Sequence, residues 1–393
     1  MKKYLQFPLS VSACILMAMN FSACSNDDPG QGTNPDSSEK DKMLKAACVQ
    51  FVNNPVIATY KQLADDTETL VDKLKTLKTE RTDVNVKAAC DLFKQARKQW
   101  ELSEAFLFGA AGDFGIDPHI DSWPLDLNGL LDELKNEAHI KAMEAEDADV
   151  WAYSKLGQEL LGFHSIEYIL FKDGSQRAVK DIQEKELTYA IAVAGDLRNN
   201  CYRLQASWAG EEGTAANRWA KVVDKMEWSV TVNSGEFSYG ENMKNAGKAG
   251  STYSTWTAAA QAIIDGCKSI ADEVGTQKIG KPHTGEDVNY IESPYSYNSI
   301  EDFCDNIQSI ENAYMGGIEG DRGSSIHDYM AKINPDLDKQ ITDAIANTIA
   351  RIKAMKFPFV KNYTDPSCQN AMDACKALDD ILTTAKAELA KED

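Results

Sequence analysis

Residues 162–167 read Gly-Phe-His-Ser-Ile-Glu and sit inside an otherwise apolar helical run from 153 to 171. Stepping through that run in alternating fours and threes selects Tyr153, Gly157, Leu160, His164, Glu167 and Phe171. An imidazole and a carboxylate therefore take two successive places on the seam that should face a core. A carboxylate withdrawn from water without a partner costs several kcal/mol, so Glu167 must meet a cation, a metal, hydrogen-bond donors or a shared proton. His164 and Glu167 are three residues apart, neighbours on one helix face, and can grip one ion or ligand together. The plainer alternative is that the two groups bond each other, or a neighbouring helix, and only fix the packing.

The rest of the chain is helical in pattern. Leu44, Val49, Phe51, Val56, Tyr60, Leu63, Leu70, Leu74 and Leu77 recur at helical intervals and predict a long helix over 42–77, kinked or broken at Asn54-Pro55. A second helix is predicted over 84–109. Its seam, Val86, Cys90, Phe93, Arg97, Trp100, Glu104 and Leu107, again sets charges in apolar company. Glu101, one step off that seam, reads as a surface partner for Arg97. The loop from 109 to 129 is rich in glycine and aspartate, and its Asp121-Ser122-Trp123-Pro124 is the composition of a site wall. A helix over 125–146 and the 153–171 helix would close a four-helix bundle.

In the second half, helices are predicted over 177–208, 255–274, 337–355 and 366–390, with another beginning at Ser299, where Ser299 and Asp302 are spaced as a capping box. Residues 230–237 read either as a small hairpin or as a helix end and loop. Ser103-Glu104-Ala105-Phe106-Leu107-Phe108-Gly109 is echoed by Glu311-Asn312-Ala313-Tyr314-Met315-Gly316-Gly317, and each leads through a glycine-containing loop to a proline, Pro124 or Pro335. The expected fold is all-α: two helical, four-helix-bundle-like domains related by internal duplication, over 41–175 and 176–393.

The first residues belong to targeting rather than to the fold. Lys2 and Lys3 precede an apolar stretch ending near Phe21, which predicts a secretory signal over 1–23, too short for a spanning helix. Phe21-Ser22-Ala23-Cys24 resembles a bacterial lipobox, with Phe21 in place of the usual Leu, and so implies lipidation at Cys24. Residues 24–40 predict a flexible tether. Its Ser25-Asn26-Asp27-Asp28 resembles the acidic signal that sends some Gram-negative lipoproteins to the cell surface, or is an ordinary polar linker. The expected location is the outer membrane of the cell envelope, on its periplasmic or cell-surface side. A formal net charge of -20 argues against nucleic acid as a partner. Of nine cysteines, Cys14 leaves with the signal and Cys24 takes lipid. The others lie scattered in helical seams, which predicts buried free thiols and no structural zinc.

G-x-H-x-x-E followed by an aromatic and aliphatic run resembles the signature of the imelysin family, bacterial envelope proteins classed with metallopeptidases and often linked to iron. Trp100, Ser103-Glu104-Ala105-Phe106 with Gly109, Asp121-x-Trp123-Pro124, the His164 motif, the Glu292 segment and Asn312-Ala313-Tyr314-Met315-Gly316 stand in family order and extend the resemblance over most of the chain. Tyr295 and Ser299 stand where Phe and Thr are expected. The candidate site is a pocket between the bundles, built by His164, Glu167, Glu104 and Asp121 and faced by the 316–325 loop with Glu311, Asp321 and Arg322. Carboxylates with an imidazole suit a divalent or ferric ion such as iron, manganese or zinc. Arg322 would instead clamp a small anionic ligand or the carboxylates. The resemblance also implies a role in iron-related uptake, with an envelope partner. Two other functions stay open. One is a metallopeptidase with His164, Glu167 and Glu104 as ligands and Asp121 as base, although H-E-x-x-H is missing and Tyr168 stands where H-x-x-E-H needs its second His. The other is a structural or interaction lipoprotein whose buried polar residues lock two bundles together.

Overall fold

The computed structural model describes residues 38–391; the signal segment, Cys24 and most of the tether lie outside the described residues. Helix α1 (Glu39–Phe51) starts at Ser38, whose hydroxyl accepts from the Asp41 amide. Pro55 does not break the chain. A π-helical turn, Val52–Val56, widens the helix where proline has no N–H to give, and α2 (Ile57–Thr79) continues from it. Helix α3 (Asp83–Glu101) is capped by Thr82 and stops earlier than the seam predicts. A 3-10 turn, Glu104–Phe106, follows, and Gly109 leaves it at a φ of 81°.

The two helices predicted next are both divided. In place of one helix over 125–146 there are Leu127–Glu133 and Glu137–Ala142, each started by its own side-chain cap, Asp126 and Asn136. Short polar caps compete with helix continuation, which is why the pattern breaks there. The 153–171 run is a helix Ala148–Lys155, a 3-10 turn Gln158–Leu160, and α4 (Gly162–Leu170). His164 and Glu167 still share one face of α4. A two-residue antiparallel pair, β1 (Phe171–Lys172) and β2 (Ser175–Gln176), closes over a turn at Asp173 and Gly174.

Helix α5 (Glu184–Ala209) starts later than predicted, at a capping box between Gln183 and Glu186. It is buried on nearly every side and lies against α2, α4 and the Ala148–Lys155 helix. Residues 230–237 form no hairpin; they hold a 3-10 turn, Val232–Ser234, with positive φ at Asn233 and Ser234. Helix α6 (Trp256–Glu273) runs into a π-helical turn, Val274–Lys278. Helices α7 (Ser299–Tyr314), α8 (Pro335–Lys353) and α9 (Pro366–Leu389) complete the chain, with α9 against α6 and α8, and α7 against α3. The Ser299 and Asp302 capping box does not form. Ser299 donates its hydroxyl to the Glu292 carbonyl, and Asp302 is held by Ser293 and Asn298.

One apolar cluster runs through both halves of the described chain, from Leu44 to Leu389. The seven described cysteines are buried free thiols. Among the described residues no helix is long and apolar enough to cross a membrane.

A buried ionic cluster as the candidate functional site

Seven segments deliver charge to one point in this core. Helix α3 contributes Arg97 and Glu101, and the 3-10 turn after it contributes Glu104. Asp121 ends the short helix Asp117–Ile120, α4 carries His164 and Glu167, and Lys278 closes the π-helical turn Val274–Lys278. Glu292 sits in the connection before α7, which supplies Asp302 and Asn306. Glycines permit two of the approaches. Gly162 has a φ of 70°, and a Cβ there would lie 2.2 Å from the Ile120 carbonyl oxygen, so only glycine lets α4 press onto the backbone that carries Asp121. Gly266 on α6 similarly faces the Ala105 carbonyl oxygen, where a Cβ would stand at 2.2 Å, next to Glu104.

Arg97 is the hub. Its guanidinium, fully buried, bonds Asp121 through Nη1 and Glu292 through Nη2 (2.5 Å), and stands 2.6 Å from Glu101 and 3.6 Å from Asp302. Asp121 takes a second hydrogen bond, from Trp100 Nε1 at 2.8 Å. Lys278, also buried, donates to Glu292 Oε1 at 3.2 Å and lies 3.5 Å from Glu104 and 3.6 Å from Glu101. Asn306 donates to Glu101 Oε2 at 2.5 Å.

His164 stands at the edge of this network. Its Nδ1 is 3.3 Å from Glu167 Oε2, and its Nε2 pairs with Asp121 Oδ1 at 3.0 Å. Glu167 is occupied on its other oxygen: Oε1 accepts from the backbone amides of Tyr295 (3.1 Å) and Ser296 (2.7 Å) and from the Ser296 hydroxyl (2.7 Å). Glu167 thus ties α4 to the loop that carries Glu292 and holds the His164 ring. Beside His164 a cavity of about 280 Å³ is lined by Trp123, Leu125, Ile291 and Tyr295.

Six carboxylates, on Glu101, Glu104, Asp121, Glu167, Glu292 and Asp302, meet two permanent cations and one imidazole in this network. The imbalance shows in their proton affinities. Burial pushes the Glu101 and Glu104 carboxyls well above the usual range, against the pull of Arg97 on the first and Lys278 on both. Burial raises Asp302 to about 6. Asp121 goes the other way: burial would raise it, but Arg97 and then His164 hold it well below the usual carboxylate range. For His164 burial opposes charge, and the bonds to Asp121 and Glu167 outweigh it, lifting the imidazole to about 9. Protons and basic side chains are therefore balancing an excess of negative charge.

Within the cluster, one ligand atom each from Asp121, His164 and Glu292 lie within 4.8 Å of one another, all buried. Of their atoms, Glu292 Oε2 is buried without a hydrogen-bond partner among the described residues, while His164 Nε2 has the Asp121 carboxylate 3.0 Å away. A buried polar atom left unbonded costs roughly 1–3 kcal/mol, a cost that a bound cation would relieve.

Of the residues singled out in the sequence, His164, Glu167, Glu104 and Asp121 converge here. Glu311, Asp321 and Arg322 gather elsewhere: Arg322 pairs with Glu311 at 2.6 Å, and Asp321 accepts from Asn54 at 2.6 Å, where the loop meets the α1–α2 junction. Glu101 is not a surface residue but fully buried. Sequence reasoning passed over Lys278 and Asp302 as parts of a site and noted Glu292 only as a family landmark. Lys278 and Glu292 lie in irregular segments, where no periodicity marks a buried charge.

Comparison with known proteins gives the following relations. The family description Imelysin, peptidase M75, matches residues 56–385. Iron-regulated protein A of Synechococcus elongatus is 26% identical over 337 residues, which cover 84% of this chain and 83% of that protein. A crystal structure from Parabacteroides distasonis, described as an iron-regulated protein A precursor, is 29% identical, covers 89% of this chain and 96% of its own, and superposes with a TM-score of 0.75. An imelysin-like protein from Psychrobacter arcticum shares the fold at 13% identity, with a TM-score of 0.57 over 87% of this chain and 93% of its own.

Proposed function

The chain belongs to the imelysin family, and from that premise we propose that it is an envelope lipoprotein, anchored through Cys24, that binds a divalent or ferric metal ion in the buried cluster around His164. The single observation that carries the reading is the convergence of buried ligand atoms from Asp121, His164 and Glu292 within 4.8 Å of one another, in a cluster with surplus carboxylate where Glu292 Oε2 has no hydrogen-bond partner among the described residues. One imidazole and two carboxylates form a donor set of intermediate hardness that fits iron, manganese or zinc. The names of the relatives, iron-regulated protein A, favour iron and a place in iron-related uptake.

In this reading His164, Asp121 and Glu292 hold the ion, and a bound ion supplies positive charge to carboxylates otherwise neutralised by protons. Glu167 serves as a positioning residue, because its bond to Nδ1 sets the ring so that Nε2 faces the site. Arg97 holds Asp121 and Glu292 in register from behind, and Trp100 fixes the second oxygen of Asp121. The cavity of about 280 Å³ is the approach to His164.

Equilibrium dialysis against Fe²⁺, Mn²⁺ and Zn²⁺, with metal analysis of the full chain and its His164→Ala and Glu292→Gln forms, tests this. The wild type is expected to hold one ion, and each variant, folded by circular dichroism, to bind at least roughly tenfold more weakly. Equal uptake by wild type and His164→Ala would overturn the reading and leave the cluster a device that locks the core together.

A further inference from the structure

The cavity beside His164 does not stand alone. Its wall residues Pro294, Tyr295 and Val360 also line a neighbouring groove of about 830 Å³, bounded further out by Tyr168, Phe171 and Tyr297. Tyr168 and Tyr295 meet edge to face, with ring centroids 5.2 Å apart and planes at 76°. Two large apolar side chains lie exposed beside this surface. Val288 is in the wall of the His164 cavity, and the Phe357 ring stands 6.4 Å from that of Tyr297. Aromatic and apolar side chains gathered at the surface around a cavity of this size mark a binding site for a small molecule.

The charge of the groove departs from that of the chain. Where the chain as a whole carries -20, the groove sets Lys172, Arg177 and Lys361 against Asp173 and Asp181. Arg177 is committed to Glu186, and Asp173 accepts from the Tyr297 hydroxyl at 3.3 Å. The lysines are left facing solvent. Lys172 is exposed and has no ion-pair partner among the described residues, while Lys361 stands over the Tyr297 ring at 4.9 Å and Lys94 over the Phe171 ring at 5.6 Å. Lysines beside ring faces repel a bare metal ion, and they suit a flat ligand that carries negative charge. Tyr295 connects this surface to the site already described. Its side of the loop lines both openings, and its amide donates to Glu167, which holds the His164 ring.

We infer that the groove docks the metal as an anionic aromatic chelate of the hydroxybenzoate class, its rings against Tyr168, Tyr295 and Tyr297 and its negative charge answered by Lys172 and Lys361. The inference rests on the His164 reading for the cargo being a metal. The groove residues are separate from the three that hold the ion, so the two readings fail by different variants.

The probe is ferric salicylate, with ferric citrate as an anionic complex that lacks rings. Equilibrium dialysis against the full chain measures retained iron and retained salicylate together. The wild type is expected to hold the salicylate complex with both components present, at least roughly tenfold more tightly than ferric citrate. Tyr168→Ser and the double charge reversal Lys172→Glu/Lys361→Glu should each weaken it at least roughly tenfold, while uptake of free Mn²⁺ stays at the wild-type level. Both lysines are exposed, so the charge-reversed form keeps its fold and decides the matter should Tyr168→Ser not fold. Iron retained without salicylate, citrate held as tightly as salicylate, or binding unchanged by the charge reversal overturns the inference. Mn²⁺ uptake that His164→Ala does not alter, beside salicylate binding that the charge reversal abolishes, sinks the His164 reading and leaves the docking groove standing.

Discussion

Replacing Arg97 by methionine removes the hub of the cluster while keeping the length and apolar stem of the side chain. Two charge-assisted hydrogen bonds disappear, to Asp121 and Glu292, and Glu101 and Asp302 lose the cation 2.6 and 3.6 Å away. Breaking a buried ion pair by deleting one partner costs about 3–5 kcal/mol, because the other charge stays behind uncompensated. The site is fully desolvated, so no discount for solvent applies, and we expect a loss near 4 kcal/mol at pH 8. The sign with pH follows from Asp121. In the wild type its carboxyl is held below the usual range, against burial, by Arg97 and then His164. It therefore contributes stability that is present above the unfolded value of about 3.9 and is lost as pH falls through the folded value. Without Arg97 burial dominates, the folded value rises above the unfolded one, and the cost is paid at high pH and relieved by protonation. Equilibrium urea unfolding followed by circular dichroism should show the full deficit at pH 8 and a deficit reduced to about half or less at pH 5. A variant within about 1 kcal/mol of wild type at pH 8, or a deficit independent of pH, would refute the reasoning.

Three further outcomes follow from the same geometry. Gly162→Ala should lose at least about 2 kcal/mol in urea unfolding, since a Cβ at a φ of 70° would meet the Ile120 carbonyl at 2.2 Å; a neutral substitution would mean that α4 need not press on the Asp121 backbone. Glu167→Ala strips the acceptor from the Tyr295 and Ser296 amides, so hydrogen exchange at those two amides should quicken at least roughly tenfold while α2 stays protected. For His164, burial disfavours charge but Asp121 and Glu167 outweigh it and raise the imidazole to about 9. The resulting stabilisation, about 3 kcal/mol, is fully present below about 6.5 and lost as pH rises through about 9. The stability gap between wild type and His164→Gln should accordingly narrow from pH 6 to pH 10, and a gap that widens would contradict the assignment.

Much of this arrangement was legible in the residue pattern, for reasons that differ from place to place. His164 and Glu167 stood out because an apolar seam carried polar groups it could not leave unpaired, and they remain on one face of α4 although the predicted helix is cut at Gly157 and Gly162. Arg97 and Glu104 were visible on the same argument. Glu101 was misplaced because α3 packs against α2 on one side and α7 on another, so its buried face is wider than a single seam. Pro55 was read as a kink or break, whereas a π-helical turn accommodates it, an adjustment that side-chain spacing does not reveal. Lys278 and Glu292 escaped notice as site residues because each is a single charge in irregular backbone, where burial is set by distant helices. Glu311 and Arg322 illustrate the reverse: they were expected to face the site from the second half, and they pair with each other at 2.6 Å.

The most direct measurement is anomalous diffraction from crystals of the full chain grown with Mn²⁺ and collected near the manganese edge. The account predicts a peak within bonding distance of His164 Nε2, Asp121 and Glu292, roughly 2.0–2.2 Å from each donor atom. Peaks confined to exposed carboxylates, with none inside the cluster, would contradict it.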